Sequence, residues 1–232
     1  HGSYCARGRS ALPIVFVFTS PLLFGLLLVL FAAVCLSPWR RARVIGVAAP
    51  WAVCCVGLWL LFAPLLFWAP TAATYAGDTL IGSLAILFAV IVPGAPAPGR
   101  SQVEPPGPDI PPGWSYNPST WVQRGPIIAL ALVSFFLSRH LAAYQLGHIS
   151  SPWEPFFGRG TVQVLDSEVS HAWPVSDAGL GALSYMVEAL SGCIGDRRRW
   201  RTMPWMVILF GILVVPLGVV SIVLVILQPL AV

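Results

Sequence analysis

The chain of 232 residues is 57% hydrophobic and 9% charged, with a mean hydropathy of +0.80. Soluble domains carry roughly 25% charged residues, so this composition excludes a chain that clothes itself in a water-facing surface. The net charge of +4 rests on thirteen arginines with no lysine; with little soluble surface, these are expected to set membrane topology rather than to bind nucleic acid.

The expectation is therefore an integral membrane protein, multi-pass in the cell membrane, whose first partner is the lipid bilayer. Its five cysteines are Cys5, Cys35, Cys54, Cys55 and Cys193. They form no Cys-x-x-Cys and no cluster with zinc spacing. The vicinal pair Cys54-Cys55 falls in apolar sequence, where thiols behave as small hydrophobes. The chain begins at His1 and stops at Val232 within apolar sequence, which reads as a piece of a longer protein.

Residues 11–36 form the first apolar run, too long for the roughly 7–15 residues of a signal-peptide core, and so a spanning helix. Ser37-Pro38-Trp39 ends it, followed by Arg40, Arg41 and Arg43. A second span covers residues 47–68, with Pro64 expected to kink or end it. Residues 69–78 read as a short loop, and residues 79–92 as a third span that borrows length from its flanks. Between 93 and 126 prolines crowd the chain, as in Pro105-Pro106-Gly107-Pro108 and Pro111-Pro112-Gly113. That stretch predicts an extended aqueous linker without helix or core.

A fourth span is expected over 127–146. The loop 147–176 holds charged and turn-forming residues; within it Val162, Leu165 and Val169 recur at helical spacing and predict a short helix along the membrane surface over 161–169. Residues 177–195 and 203–232 form the fifth and sixth spans, separated by Arg197-Arg198-Arg199-Trp200-Arg201. Three arginines at 40–43 and four at 197–201 place those loops in the cytoplasm. Alternation then puts 93–126 inside, and 69–78 and 147–176 outside.

In the fifth span Asp177, Gly181, Ser184, Tyr185, Glu188 and Gly192 recur at i, i+4, i+7, i+8, i+11 and i+15, a polar and small-residue stripe on one face. Intramembrane carboxylates usually face a bundle interior or a cavity. Asp177 with Ser176 also suits a helix N-cap, and Glu188 is expected within reach of Arg197–Arg201. In the sixth span Gly211 and Gly218 predict close helix packing, with a kink at Pro216. Gly158-Arg159-Gly160 reads as a tight turn. His140, His148 and His171 lack metal-ligand spacing.

These features, in this order, resemble the vitamin K epoxide reductase family, membrane thiol–disulfide oxidoreductases that use quinones. The resemblance rests on Gly158-Arg159-Gly160, the short helix after it, Pro174-Val175-Ser176-Asp177 leading to Gly181 and Tyr185, the basic hairpin and the long last span. It implies a four-helix bundle lacking its last helix here, and a quinone pocket of Phe156, Phe157, Asp177, Gly181 and Tyr185. Asp177 stands where animal members have a quinone-contacting Asn. The resemblance also implies a thioredoxin-like thiol partner. The family's loop cysteines are absent, with Ile149 near the place of the second, and its Cys-x-x-Cys would begin just after Val232. As given, the chain is expected to be inactive in that reaction.

Upstream, Ser37-Pro38-Trp39, the run Gly57-Leu58-Trp59-Leu60-Leu61-Phe62-Ala63-Pro64, Gly77-Asp78 and Ile81-Gly82 resemble the SPW-repeat membrane domain of bacterial proteins. The expected fold is all-α with six spans: an SPW-like domain at 1–93, a proline-rich linker at 94–125 and a reductase-like domain at 126–232. The alternative reading is a non-catalytic membrane module that binds a partner protein or an apolar ligand.

Overall fold

The computed structural model describes residues 43–91, 107–153, 155, 159–168, 170 and 175–231, with a few positions between 25 and 33. The first expected span therefore lies almost wholly outside the described residues. All regular structure among the described residues is helical. The chain divides into two units between Pro105 and Pro106.

The first unit is a helical hairpin. Helix α1, Arg43–Leu66, contains Pro50 and Pro64. It stops two residues after Pro64, where the Ala69 N–H reaches back to Pro64 O at 2.8 Å and Trp68 takes the left-handed φ of 54°. Helix α2, Ala72–Ile91, follows at once. Its start corrects the expected loop at 69–78: Thr71 Oγ1 accepts the Thr74 N–H at 3.2 Å, an N-cap that opens the helix seven residues early. Within α2, Thr79 and Ser83 donate their hydroxyls to carbonyls one turn back, each at 2.7 Å, so neither leaves a bare polar group.

The two helices meet through glycine. A Cβ on Gly82 would stand 2.7 Å from Gly57 O, and one on Gly57 would stand 2.8 Å from Gly82 O. Backbone touches backbone there, which only glycine allows. Around the crossing Val53, Leu60, Leu61, Leu65, Tyr75, Ala85 and Ile86 are buried.

The second unit is built on α3, Trp121–Gln145, packed against α5, Asp177–Cys193. The contact is lined by Ala131, Phe135 and Ala142 on α3 and by Gly179, Ala182, Ala189 and Gly192 on α5, all buried. Small side chains let the helix axes approach; a Cβ on Gly192 would stand only 2.6 Å from Ile128 Cγ1. The short helix α4, Gly160–Leu165, lies in the loop between them and is shorter than the 161–169 expected. The four-residue α6, Arg199–Thr202, leads into α7, Pro204–Ala231.

Two expectations in this unit are corrected. Residues 107–120 do not form an extended linker, and Trp121–Gly125 are already helical. Asp109 O accepts the Trp200 indole N–H at 3.1 Å, and its carboxylate accepts from Arg198 Nε at 2.8 Å. Asn117, buried, donates to Arg197 O at 2.8 Å. Closely spaced prolines disfavour helix, yet leave a chain free to fold against a distant partner. The second correction concerns Gly211 and Gly218: a Cβ on either would meet open space, so the close packing expected there is not made among the described residues.

Among the described residues two helices are long and apolar enough to cross a membrane, Ala72–Ala89 and Trp121–Gln145; Pro50–Leu66 and Pro204–Pro216 are shorter apolar helices.

Candidate functional site

The last turns of α3 hold the following loop by three side chains. His140 Nε2 accepts the Trp153 N–H at 2.8 Å, which requires the ring proton on Nδ1. Tyr144 donates its hydroxyl to the Asp166 carboxylate at 3.2 Å, just beyond α4. Gln145, buried, donates from Nε2 to Ser170 Oγ at 2.7 Å. Positions 140 and 144 lie one turn apart on the helix, and 145 adjoins them.

Gln145 also sets the start of α5. Its Oε1 accepts the Ser176 hydroxyl at 2.5 Å and the Ala178 N–H at 3.2 Å. Ser176 is the N-cap, its Oγ accepting from the Gly179 N–H at 3.0 Å. One amide thus joins the end of α3, the loop at Ser170 and the first turn of α5. Ser170 and Ser176 are both buried, so each bond is made away from bulk water.

This arrangement positions the residues expected to form a pocket. Asp177 is the first residue of α5, where the helix dipole favours its charge. Gly181 stands one turn on and faces α3, its Cβ position 3.5 Å from Ser138 Oγ. Tyr185 follows one turn later, and all three are half-buried. Phe156 and Phe157 lie outside the described residues, as do Gly158 and His171. Arg159 is the N-cap residue of α4, and Gly160 its first residue.

Glu188 departs from its expected surroundings: it makes no ion pair among the described residues. The arginines expected near it go elsewhere. Arg199 Nη1 donates to Ser191 O, Gly192 O and Ile194 O at 3.1–3.4 Å, closing the C-terminal end of α5, and Arg198 pairs with Asp109. Burial, and then the nearby Arg124 charge, lower the Arg199 pKa from its ordinary value.

Sequence reasoning missed two residues that organise this unit, Gln145 and Arg124. Gln145 resembles any polar residue at a helix end. Arg124 falls in the stretch expected to be an aqueous linker, yet it is 2% exposed and donates from Nη1 to Gly192 O, Ile194 O and Gly195 O at 3.0–3.1 Å. An Arg placed just before an apolar run was the one available signal.

No curated protein and no solved structure matches this chain. Residues 126–232 match the model of the Vitamin K epoxide reductase family, so the C-terminal part of the chain, just under half of its length, is similar to that family of oxidoreductases.

Proposed function

We propose that this chain is a multi-pass protein of the cell membrane, with six spans, whose residues 126–232 form the quinone-binding part of a thiol–disulfide oxidoreductase. The family match over those residues carries the reading. The membrane part is supported by the outward faces of the helices: Leu130, Val133, Phe136 and Leu137 on α3, and Ile208, Ile212, Val215 and Val219 on α7, are all exposed. Side chains of this kind in such numbers are stable against hydrocarbon, not against water.

The pocket proposed is that of Phe156, Phe157, Asp177, Gly181 and Tyr185. The donor chemistry of the described members fits a quinone. The Tyr185 hydroxyl can donate to a quinone carbonyl, and the Asp177 carboxylate can accept from a quinol hydroxyl. Gly181 keeps the turn between them free of a side chain. The Gln145–Ser176 bond fixes the turn that carries Asp177. A bound quinone supplies the two-electron acceptor; the chain's own residues orient it and exclude water.

Residues 1–232 contain no Cys-x-x-Cys. On this reading residues 1–232 carry the quinone side of the reaction and not the family's Cys-x-x-Cys, and the thiol partner is a thioredoxin-like protein. The test is quinone reduction coupled to dithiol oxidation by the full-length protein in proteoliposomes. Loss of that activity on Tyr185→Phe together with Asp177→Ala, with the fold retained, supports the pocket. A full-length protein that binds quinone without turning over dithiols favours the non-catalytic module instead.

A further inference from the structure

We propose that the end of the α3–α5 pair formed by the N-terminus of α3, Arg124 and Arg199 is a binding site for a phosphate oxyanion. An anionic lipid headgroup and free phosphate both present that chemistry. Three independent features converge on it. Helix α3 opens without a side-chain cap, since Thr120 makes no capping bond and the first turn holds no acidic residue. The N–H groups of Gln123 and Arg124 donate to Thr120 O at 3.1 and 3.0 Å, which leaves the Trp121 and Val122 amides at the positive end of the helix dipole.

The second feature is Arg124 itself. Its Nη1 is spent on three carbonyls, but Nε and Nη2 meet no hydrogen-bond partner among the described residues. With the side chain only 2% exposed, bulk water does not readily serve those N–H groups. Bare donors on a buried cation cost more than on a neutral group.

The third is the local excess of positive charge. Arg199 shares Gly192 O and Ile194 O with Arg124, so two guanidiniums crowd one helix end. The α5 C-terminus offsets about half an elementary charge. Asp196 is the acidic group whose charge reaches Arg124, but it is exposed and its Oδ1 accepts the Arg198 N–H at 2.9 Å. An oxyanion meeting the bare donors of Arg124 and the amides of Trp121 and Val122 satisfies all three conditions. The lipid source rests on the membrane reading above, in which this end lies at the cytoplasmic leaflet, where anionic lipids concentrate.

The experiment uses the full chain. Thermal unfolding is followed in nanodiscs of phosphatidylcholine with and without phosphatidylglycerol, and in neutral detergent with inorganic phosphate against chloride at equal ionic strength. Phosphatidylglycerol or phosphate is expected to raise Tm, and chloride is not. Protection by phosphatidylglycerol alone assigns the site to lipid, and protection by phosphate alone assigns it to a solution anion. No protection by either overturns the proposal.

Thr120→Asp supplies the variant that keeps the fold, because a carboxylate at the N-cap stabilises α3 by itself. It is expected to match or exceed the parent Tm and to need about tenfold more phosphatidylglycerol or phosphate for the same shift. An unchanged response in this variant places the anion elsewhere on the basic hairpin and overturns the proposal. Carbonate extraction of cell membranes tests the membrane reading separately: an extractable chain removes the lipid source and leaves the phosphate arm intact.

Discussion

Gln145→Leu should cost far more than its position at a helix end suggests. Leucine nearly preserves the side-chain volume, so no cavity confuses the result. What disappears is the donor to Ser170 Oγ and the acceptor shared by the Ser176 hydroxyl and the Ala178 N–H. Both hydroxyls are buried, so they have no ready access to replacement water. Each lost bond is worth about 1 kcal/mol net, and each stranded buried group raises that toward the cost of its desolvation. The sum is about 3 kcal/mol or more, against about 1–2 kcal/mol for Ser170→Ala, which removes one bond and strands only the Gln145 Nε2 donor. Unfolding in mixed micelles of mild detergent and SDS, followed by tryptophan fluorescence, measures both. The double variant Gln145→Leu/Ser176→Ala should recover about 1 kcal/mol relative to additivity, because both changes delete the same bond. Equal losses for Gln145→Leu and Ser170→Ala, or strict additivity in the double variant, refute the reasoning.

Gly82→Ala should destabilise the first unit by about 2 kcal/mol or more, since its Cβ would meet the Gly57 carbonyl, which has no rotamer to escape into. Gly77→Ala on the same helix meets nothing within 4 Å and should stabilise by up to about 1 kcal/mol; the same unfolding assay reads both. Gly192→Ala places a methyl against Ile128 Cγ1 and should weaken the α3–α5 pair, while Gly192→Ala/Ile128→Ala should recover most of the loss. Cys55 is exposed on α1; if that face meets lipid, neither a membrane-permeant nor a sulfonated maleimide should label it in intact vesicles, because hydrocarbon suppresses the reacting thiolate, and unfolding in SDS should restore labelling. Rapid labelling by the sulfonated reagent in intact vesicles would count against a span at this position.

The elements most legible in the sequence were those decided locally. Ser176 followed by Asp177 marked the start of α5 because a cap and a first-turn acid act within one helical turn. The start of α2 depended on an equally local cap at Thr71, but Gly77, Asp78 and Thr79 diluted the apolar signal and drew the boundary too late. Residues 107–120 were misread for a different reason. Their order comes from partners about eighty to ninety positions away, Asp109 with Arg198 and Trp200, and Asn117 with Arg197. No window along the chain contains both members of those pairs. The small-residue stripe of α5 was visible, yet the buried line runs through Gly179, Ala182 and Ala189 rather than through Ser184 and Glu188. Periodicity identifies a face, while the neighbouring helix decides which face is covered.

The α3–α5 pair has an apolar middle of small residues and two ends closed by side chains of α3. Gln145 closes the end where α5 begins, and Arg124 closes the end where it stops. Apart from Phe135 and the fit of Ile128 against Gly192, packing leaves these helices some freedom to slide, because alanine and glycine offer few ridges to interlock. The two polar contacts remove that freedom: a shift of one turn, about 5.4 Å, would break every bond made by both residues. The register of α5 against α3 then fixes where Asp177 and Gly181 stand relative to Ser138, and with it the depth of the proposed pocket. A variant that weakens either closure without unfolding the pair should therefore alter ligand affinity at residues it never touches.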